Sequence, residues 1–221
     1  MTGEYLQGIS QDLLKAFYET FQMVGIALLT SIIIGVPGGL FLYITEKGLF
    51  FSNKLLNAIS GFIINIIRSI PFVILLVLLL PLTQKIIGTT IGPLAASVPL
   101  AIASTAFYAR LVWVSLCEID KGVIEASISL GAAPLLIITN VLLREALPGL
   151  LRGLTVTAVS LIGYSAMAGI VGGGGVGDLA IRFGYYRYET DVMIITVFFL
   201  ILLVQLVQVL GDYAADKSNK K

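Results

Sequence analysis

The sequence predicts an all-α integral membrane protein of five transmembrane helices, with one structured polar loop between the third and fourth spans. Three observations carry this. Of the 221 residues 57% are hydrophobic and 12% charged, with a mean hydropathy of +0.99, where soluble domains carry about 25% charged residues. The apolar residues run continuously instead of alternating, which excludes a β-barrel. The runs also reach the roughly 20 helical residues needed to cross a hydrocarbon core about 30 Å thick.

In chain order, the predicted spans are residues 17–45, 55–83, 86–114, 153–176 and 192–211. The first twenty residues have no basic stretch leading straight into a short apolar core and cleavage site, so a removed signal peptide is not expected. Pro37, Pro71, Pro81, Pro93 and Pro99 lie within or near the runs, where kinks are expected and neighbouring helices satisfy the freed backbone groups. Phe183, Tyr185, Tyr186 and Tyr188, between the last two spans, read as an interfacial aromatic belt, and the C-terminal tail as a solvated end. The whole chain, 1–221, reads as a single domain without internal repeats.

Five spans put the termini on opposite sides. With the N-terminus outside, the inner surface holds Lys47, Lys54, Arg110, Lys121, Arg144, Arg152, Lys217, Lys220 and Lys221, and the outer surface Lys15, Lys85, Arg182 and Arg187. Nine cations against four place the 118–152 loop and the C-terminus in the cytoplasm. Because the position of charges matters in a bilayer, a net charge of +1 is no sign of nucleic acid, and none is expected as a partner. The chain has no histidine and one cysteine, Cys117, so a metal centre, an internal disulfide and acid-base catalysis lack their usual residues. Cys117 is expected to be a small buried apolar residue.

Within the loop, Lys121, Glu125 and Ser129 recur every four residues, with Ile119, Val123 and Leu130 marking the other face of a short amphipathic helix. Asp120 is placed to cap its start, Gly131 to end it, and Pro134 to open a second helix that runs to Pro148. Periodicity alone fits equally well a helix lying on the lipid headgroups.

The segment Glu125-Ala126-Ser127, three further residues, then Gly131, resembles the EAA signature of the permease subunits of bacterial ABC importers, with Ser127 at the third motif position. NIIRSIPFVILL (65–76), EASISLGAAP (125–134), EALPGL (145–150) and GYSAMAG (163–169) extend the resemblance over essentially the whole chain, towards the permeases of methionine-uptake importers. The resemblance implies a non-catalytic subunit of the bacterial cytoplasmic membrane that carries methionine, or a closely related amino acid, by alternating access. It implies a homodimer, two ATP-binding cassette subunits and an extracytoplasmic substrate-binding lipoprotein. Glu125, Ala126, Ser127 and Gly131 then belong to a coupling helix that docks on the ATPase. No GxxxxGK[ST] motif occurs, so ATP and magnesium are expected on that partner, and this chain is expected to bind no cofactor of its own.

Arg68 reads as the one charge well inside an apolar run, where an unpartnered Arg costs about 2.5–3.5 kcal/mol on insertion scales, so it must face a polar path or snorkel to the interface. Tyr164, Ser165 and Met167 stand out among small residues of the fourth span. With Arg68 they are the candidate path and gate residues, Met167 nearest the constriction at the dimer axis. Two motifs are discounted. Gly172, Gly174 and Gly177 satisfy GxGxxG but follow no strand, and Ser165 has no histidine to activate it. An ion- or proton-coupled secondary transporter is the alternative class, though it would want acidic residues at membrane depth and paired repeats.

Overall fold

The computed structural model describes residues 2–219, with side chains from Ser10 onward, and no strand occurs among them. Lys220 and Lys221, counted above towards the inner surface, lie outside the described residues. Helix α1 (Thr2–Thr30) passes through a π-helical turn, Ser31–Gly35, into α2 (Val36–Ile44), making Ser10–Ile44 one continuous span. Helices α3 (Lys54–Ser69), α4 (Phe72–Leu78) and α5 (Leu80–Ile87) follow, then the long α6 (Pro93–Cys117). The loop comprises α7 (Lys121–Ser129), α8 (Pro134–Ile137), a second π-helical turn, Ile138–Leu142, and the single turn α9 (Leu143–Glu145). Helix α10 (Leu147–Gly169), α11 (Val176–Ala180), a third π-helical turn, Ile181–Tyr186, and α12 (Thr190–Ser218) complete the chain.

Among the described residues four helices are long and apolar enough to cross a membrane, and α3 with α4 makes a fifth if the pair counts as one span. That pair corrects the straight second span expected over 55–83: it bends by 103°. The cause is Pro71, whose ring disfavours the helical region for the residue before it; Ile70 is extended at φ −85°, ψ 124°. The third span starts at Pro93 instead of 86, because Gly88 and Gly92, at φ 83° and 99°, end α5 and turn the chain. The fourth starts earlier, at Leu147, with Pro148 in its first turn, and stops at Gly169 ahead of a glycine turn. The last is longer than expected and absorbs most of the supposed solvated tail: Ala215 is fully buried and Asp216 accepts from Arg152 at 3.2 Å.

Helix α6 is the hub, packed by α1, α2, α3 and α10. Contact is close because small residues face it. A Cβ on Gly39 would overlap the Ala109 carbonyl oxygen and lie 2.6 Å from Val112 Cβ. Ser31, at the first π-helical turn, donates to Ala27 O at 2.8 Å and bonds Ser104 Oγ at 2.7 Å, tying the first span to α6. Phe183, assigned above to an aromatic belt, is instead buried with Val176, Leu179 and Val192, under the guanidinium groups of Arg182 and Arg187; Tyr185, Tyr186 and Tyr188 are exposed. Cys117 is exposed, contrary to the buried role expected, because it ends α6 at the lip of a cavity beneath α7.

Candidate functional site

The loop between α6 and α10 is a built structure. Asp120 Oδ1 accepts from Gly122 N at 2.8 Å, satisfying one of the orphan donors at the start of α7. At the other end Gly131 adopts φ 77°, Gly131 N donates to Ile128 O at 2.9 Å and Ala132 N to Ser127 O at 3.2 Å. This bond pair is a Schellman closure, and its left-handed residue is the reason glycine stands there. Pro134 then opens α8 with its missing N–H at a position that needs none. Removing the cap, in Asp120→Ala, is expected to cost about 1 kcal/mol of local stability, read as faster amide hydrogen exchange over 121–125 with unchanged exchange in α6.

Helix α7 holds to the bundle chiefly through Ile124, which joins a cluster of Tyr43, Leu116, Ile137 and Leu142. The face expected to be buried differs: Val123 and Leu130 are exposed, Leu130 at 88%. One residue of register, about 100° around the helix, separates the pattern read from Ile119, Val123 and Leu130 from Ile124, the side chain that the α6–α8 wall receives. Glu125 and Ala126 are exposed; Ser127 is half-buried, with its hydroxyl donating to Val123 O at 2.7 Å. With Ile128, Leu135 and Leu136 also exposed, the loop presents an apolar patch around an acidic residue, outside the spans, as interaction surfaces do.

The residues expected on a path separate by helix face. Met167 is 41% exposed on α10 and shares its stripe with Val156, Ser160, Gly163 and Ile170, at helical spacing. Nothing lies within 4 Å of a Cβ at Gly163, so this face is open. Tyr164 sits beside it, stacked on Phe72 at 4.7 Å between centroids. Ser165 lies on the opposite, buried side and donates to Ile162 O at 2.8 Å. Arg68 is exposed in the last turn of α3, where its charge meets the negative end of the helix dipole at the 103° bend.

Sequence reasoning missed two charged sites. At the far end of α10 the glycine turn is held by the first span: Gly175 N donates to Glu19 Oε2 at 2.8 Å and Val176 N to Thr20 Oγ1 at 2.9 Å. Burial raises the neighbouring Asp178 carboxyl above the usual carboxylate range, with Arg182 opposing and Glu19 adding to the shift. Gly174 and Gly175 at φ 77° and 93° were the available signal for a tight turn. The second is Arg110, assigned above to the inner surface. It lies seven residues inside the end of α6, half-buried over the Trp113 ring. Among the described residues no group of three or more Cys, Asp or Glu side chains could hold a metal ion.

Comparison with known proteins accounts for this architecture. Residues 35–220 match the model of the family described as binding-protein-dependent transport system inner membrane component. The chain is 48% identical over 203 residues to the probable D-methionine transport system permease protein MetI of Vibrio cholerae, covering 92% of this chain and 90% of that protein. It is 45% identical over 210 residues to the methionine import system permease protein MetP of Bacillus subtilis, covering 95% of each. A solved structure of inward-facing conformations of the MetNI methionine ABC transporter superposes with a TM-score of 0.94 at 42% identity, over 96% of this chain and 99% of that one. An all-α, multi-pass chain of the bacterial inner membrane with no catalytic centre of its own, it belongs to the family of binding-protein-dependent transport system inner membrane components.

Proposed function

We propose that this chain is the permease subunit of an ATP-driven methionine importer. The observation that carries the reading is the capped, glycine-closed α7 with its exposed Glu125–Ala126 knob, in a chain similar along its length to methionine permeases. In this reading two copies form the pore, 1–221 acting as one permease domain, and an ATP-binding cassette subunit seats on each α7. A substrate-binding lipoprotein delivers cargo on the opposite side. ATP and magnesium are held by the cassettes. The N-terminus faces outward and the loop inward, in line with the excess of Lys and Arg at the loop end.

ATP binding draws the cassettes together, and α7 passes that displacement through Ile124 into the α6–α8 wall. The bundle then rocks between inward-open and outward-open states, which requires that nucleotide bind the two states unequally. The open stripe of α10 lines the path, with Met167 at its narrowest point beside Tyr164. Ser165 supports that helix from behind, and Arg68 keeps its charge in the aqueous route at the α3 bend. Reconstituted with its cassette and binding protein, the chain should accumulate labelled methionine only when ATP is supplied. Accumulation by the permease alone under a proton gradient would refute the reading. Met167→Ala should raise ATP hydrolysis uncoupled from uptake about threefold to tenfold, as expected if a side chain contributing about 1 kcal/mol to the closed state is lost; unchanged coupling removes Met167 from the constriction.

A further inference from the structure

A cavity of about 380 Å³ lies between α2, α3 and α6, apart from both the α7 knob and the α10 stripe. Its size falls in the roughly 300–1,000 Å³ range of small-molecule sites. One indole organises its polar wall: Trp113 donates Nε1–H to Glu46 Oε1 at 2.6 Å, and the Arg110 guanidinium sits 3.8 Å from the ring centroid. Both charges line the cavity, and among the described residues neither is in an ion pair within 4.0 Å.

Helix α3 supplies the facing wall. Asn57, Gly61 and Asn65 fall on one stripe of a mostly apolar helix, at a spacing of four residues. Asn57 is fixed, its amide donating to Leu42 O at 2.7 Å and Thr45 Oγ1 at 3.1 Å. Asn65 is exposed, and Gly61 lies between them with Leu42 Cδ1 3.5 Å from the position of a Cβ. Leu42 and Phe62 form an apolar flank.

We infer that this cavity binds a free amino acid as its zwitterion. Arg110 and Asn65 take the carboxylate, Glu46 takes the ammonium group, and the apolar side chain lies against Leu42 and Phe62. Adjacent opposite charges select this class: Glu46 repels a simple anion and Arg110 a simple cation. The choice of methionine rests on the proposed function, whereas the zwitterion class rests on the cavity. In the proposed orientation the site lies towards the cytoplasmic end, so it samples delivered cargo.

The test uses the assembled permease–cassette complex in nanodiscs, photolabelled with a diazirine analogue of methionine and mapped by mass spectrometry. Label is expected on permease peptides spanning 38–66 and 106–117, displaced by methionine but at least about tenfold less well by its methyl ester or N-acetyl derivative, each of which lacks one charge-assisted contact. Glu46→Gln keeps an acceptor for Trp113 while removing the charge, and should lower this labelling about tenfold; Arg110→Gln and Asn65→Ala should lower it too. If Arg110→Gln fails to assemble, Glu46→Gln decides alone. Labelling that is indifferent to Glu46→Gln, or confined to other peptides, overturns the site. Labelling abolished when phosphatidylethanolamine replaces phosphatidylcholine also overturns it, by assigning the cavity to a lipid headgroup. ATP-driven uptake in the same preparations separates the two claims: uptake without this label leaves the proposed function and removes the site. Label without uptake does the reverse.

Discussion

In the Gly131→Val permease, methionine uptake falls about tenfold or more while the subunit still reaches the membrane. Position 131 holds φ 77°, a left-handed conformation that costs a non-glycine residue about 1–2 kcal/mol, and a β-branched one more. Nothing lies within 4 Å of an added Cβ, so the effect is conformational and not steric. That cost depopulates the Schellman closure roughly 5- to 30-fold, and with it the position of the knob that, in the proposed function, seats on the cassette. Gly131→Asn, tolerant of the left-handed region, should retain most activity. Uptake rates normalised to membrane-fraction immunoblots check both. Equal rates for valine, asparagine and glycine would show that the turn does not set the knob.

Gly39→Leu removes the permease from the membrane altogether. Overpacking a core costs about 1–3 kcal/mol where side chains can yield. Here the obstacle is the Ala109 carbonyl oxygen, part of the α6 backbone, with Val112 Cβ beside it. The first span must therefore separate from the hub, taking the Ser31–Ser104 hydrogen bond with it. Gly25→Ala, with nothing within 4 Å of its Cβ, is the matched control and should accumulate normally. Membrane abundance by immunoblot and melting of the purified subunit are the measurements; wild-type abundance of Gly39→Leu would refute the close α2–α6 approach.

The architecture was legible where the signal is local and one-dimensional. Length and apolarity marked four continuous membrane passages, with a fifth only if the bent α3–α4 pair counts as one, and Asp120, Gly131 and Pro134 marked the ends of α7 and the start of α8 because capping is a property of neighbouring residues. The 103° bend was missed because Pro71 was read as a kink within a helix, which hydropathy cannot distinguish from a break. The burial of Ile124 in place of Val123 could not be read either, since in so short a helix the choice of face belongs to the α6–α8 wall. Arg68 stood out as a lone charge in an apolar run. Arg110 did not, because near a span end a cation reads as an interface anchor, and only the fold brings Trp113 and Glu46 to it.

Helix α7 has one buried side chain, Ile124. A rod pinned at a single point behaves as a ball joint: it transmits thrust along the line through the pin and offers little resistance to tilting about it. Angular stiffness must then come from whatever grips its exposed sides; in the proposed coupling, the stroke reaching the pore depends on how firmly the motor holds the rod as much as on how far it moves.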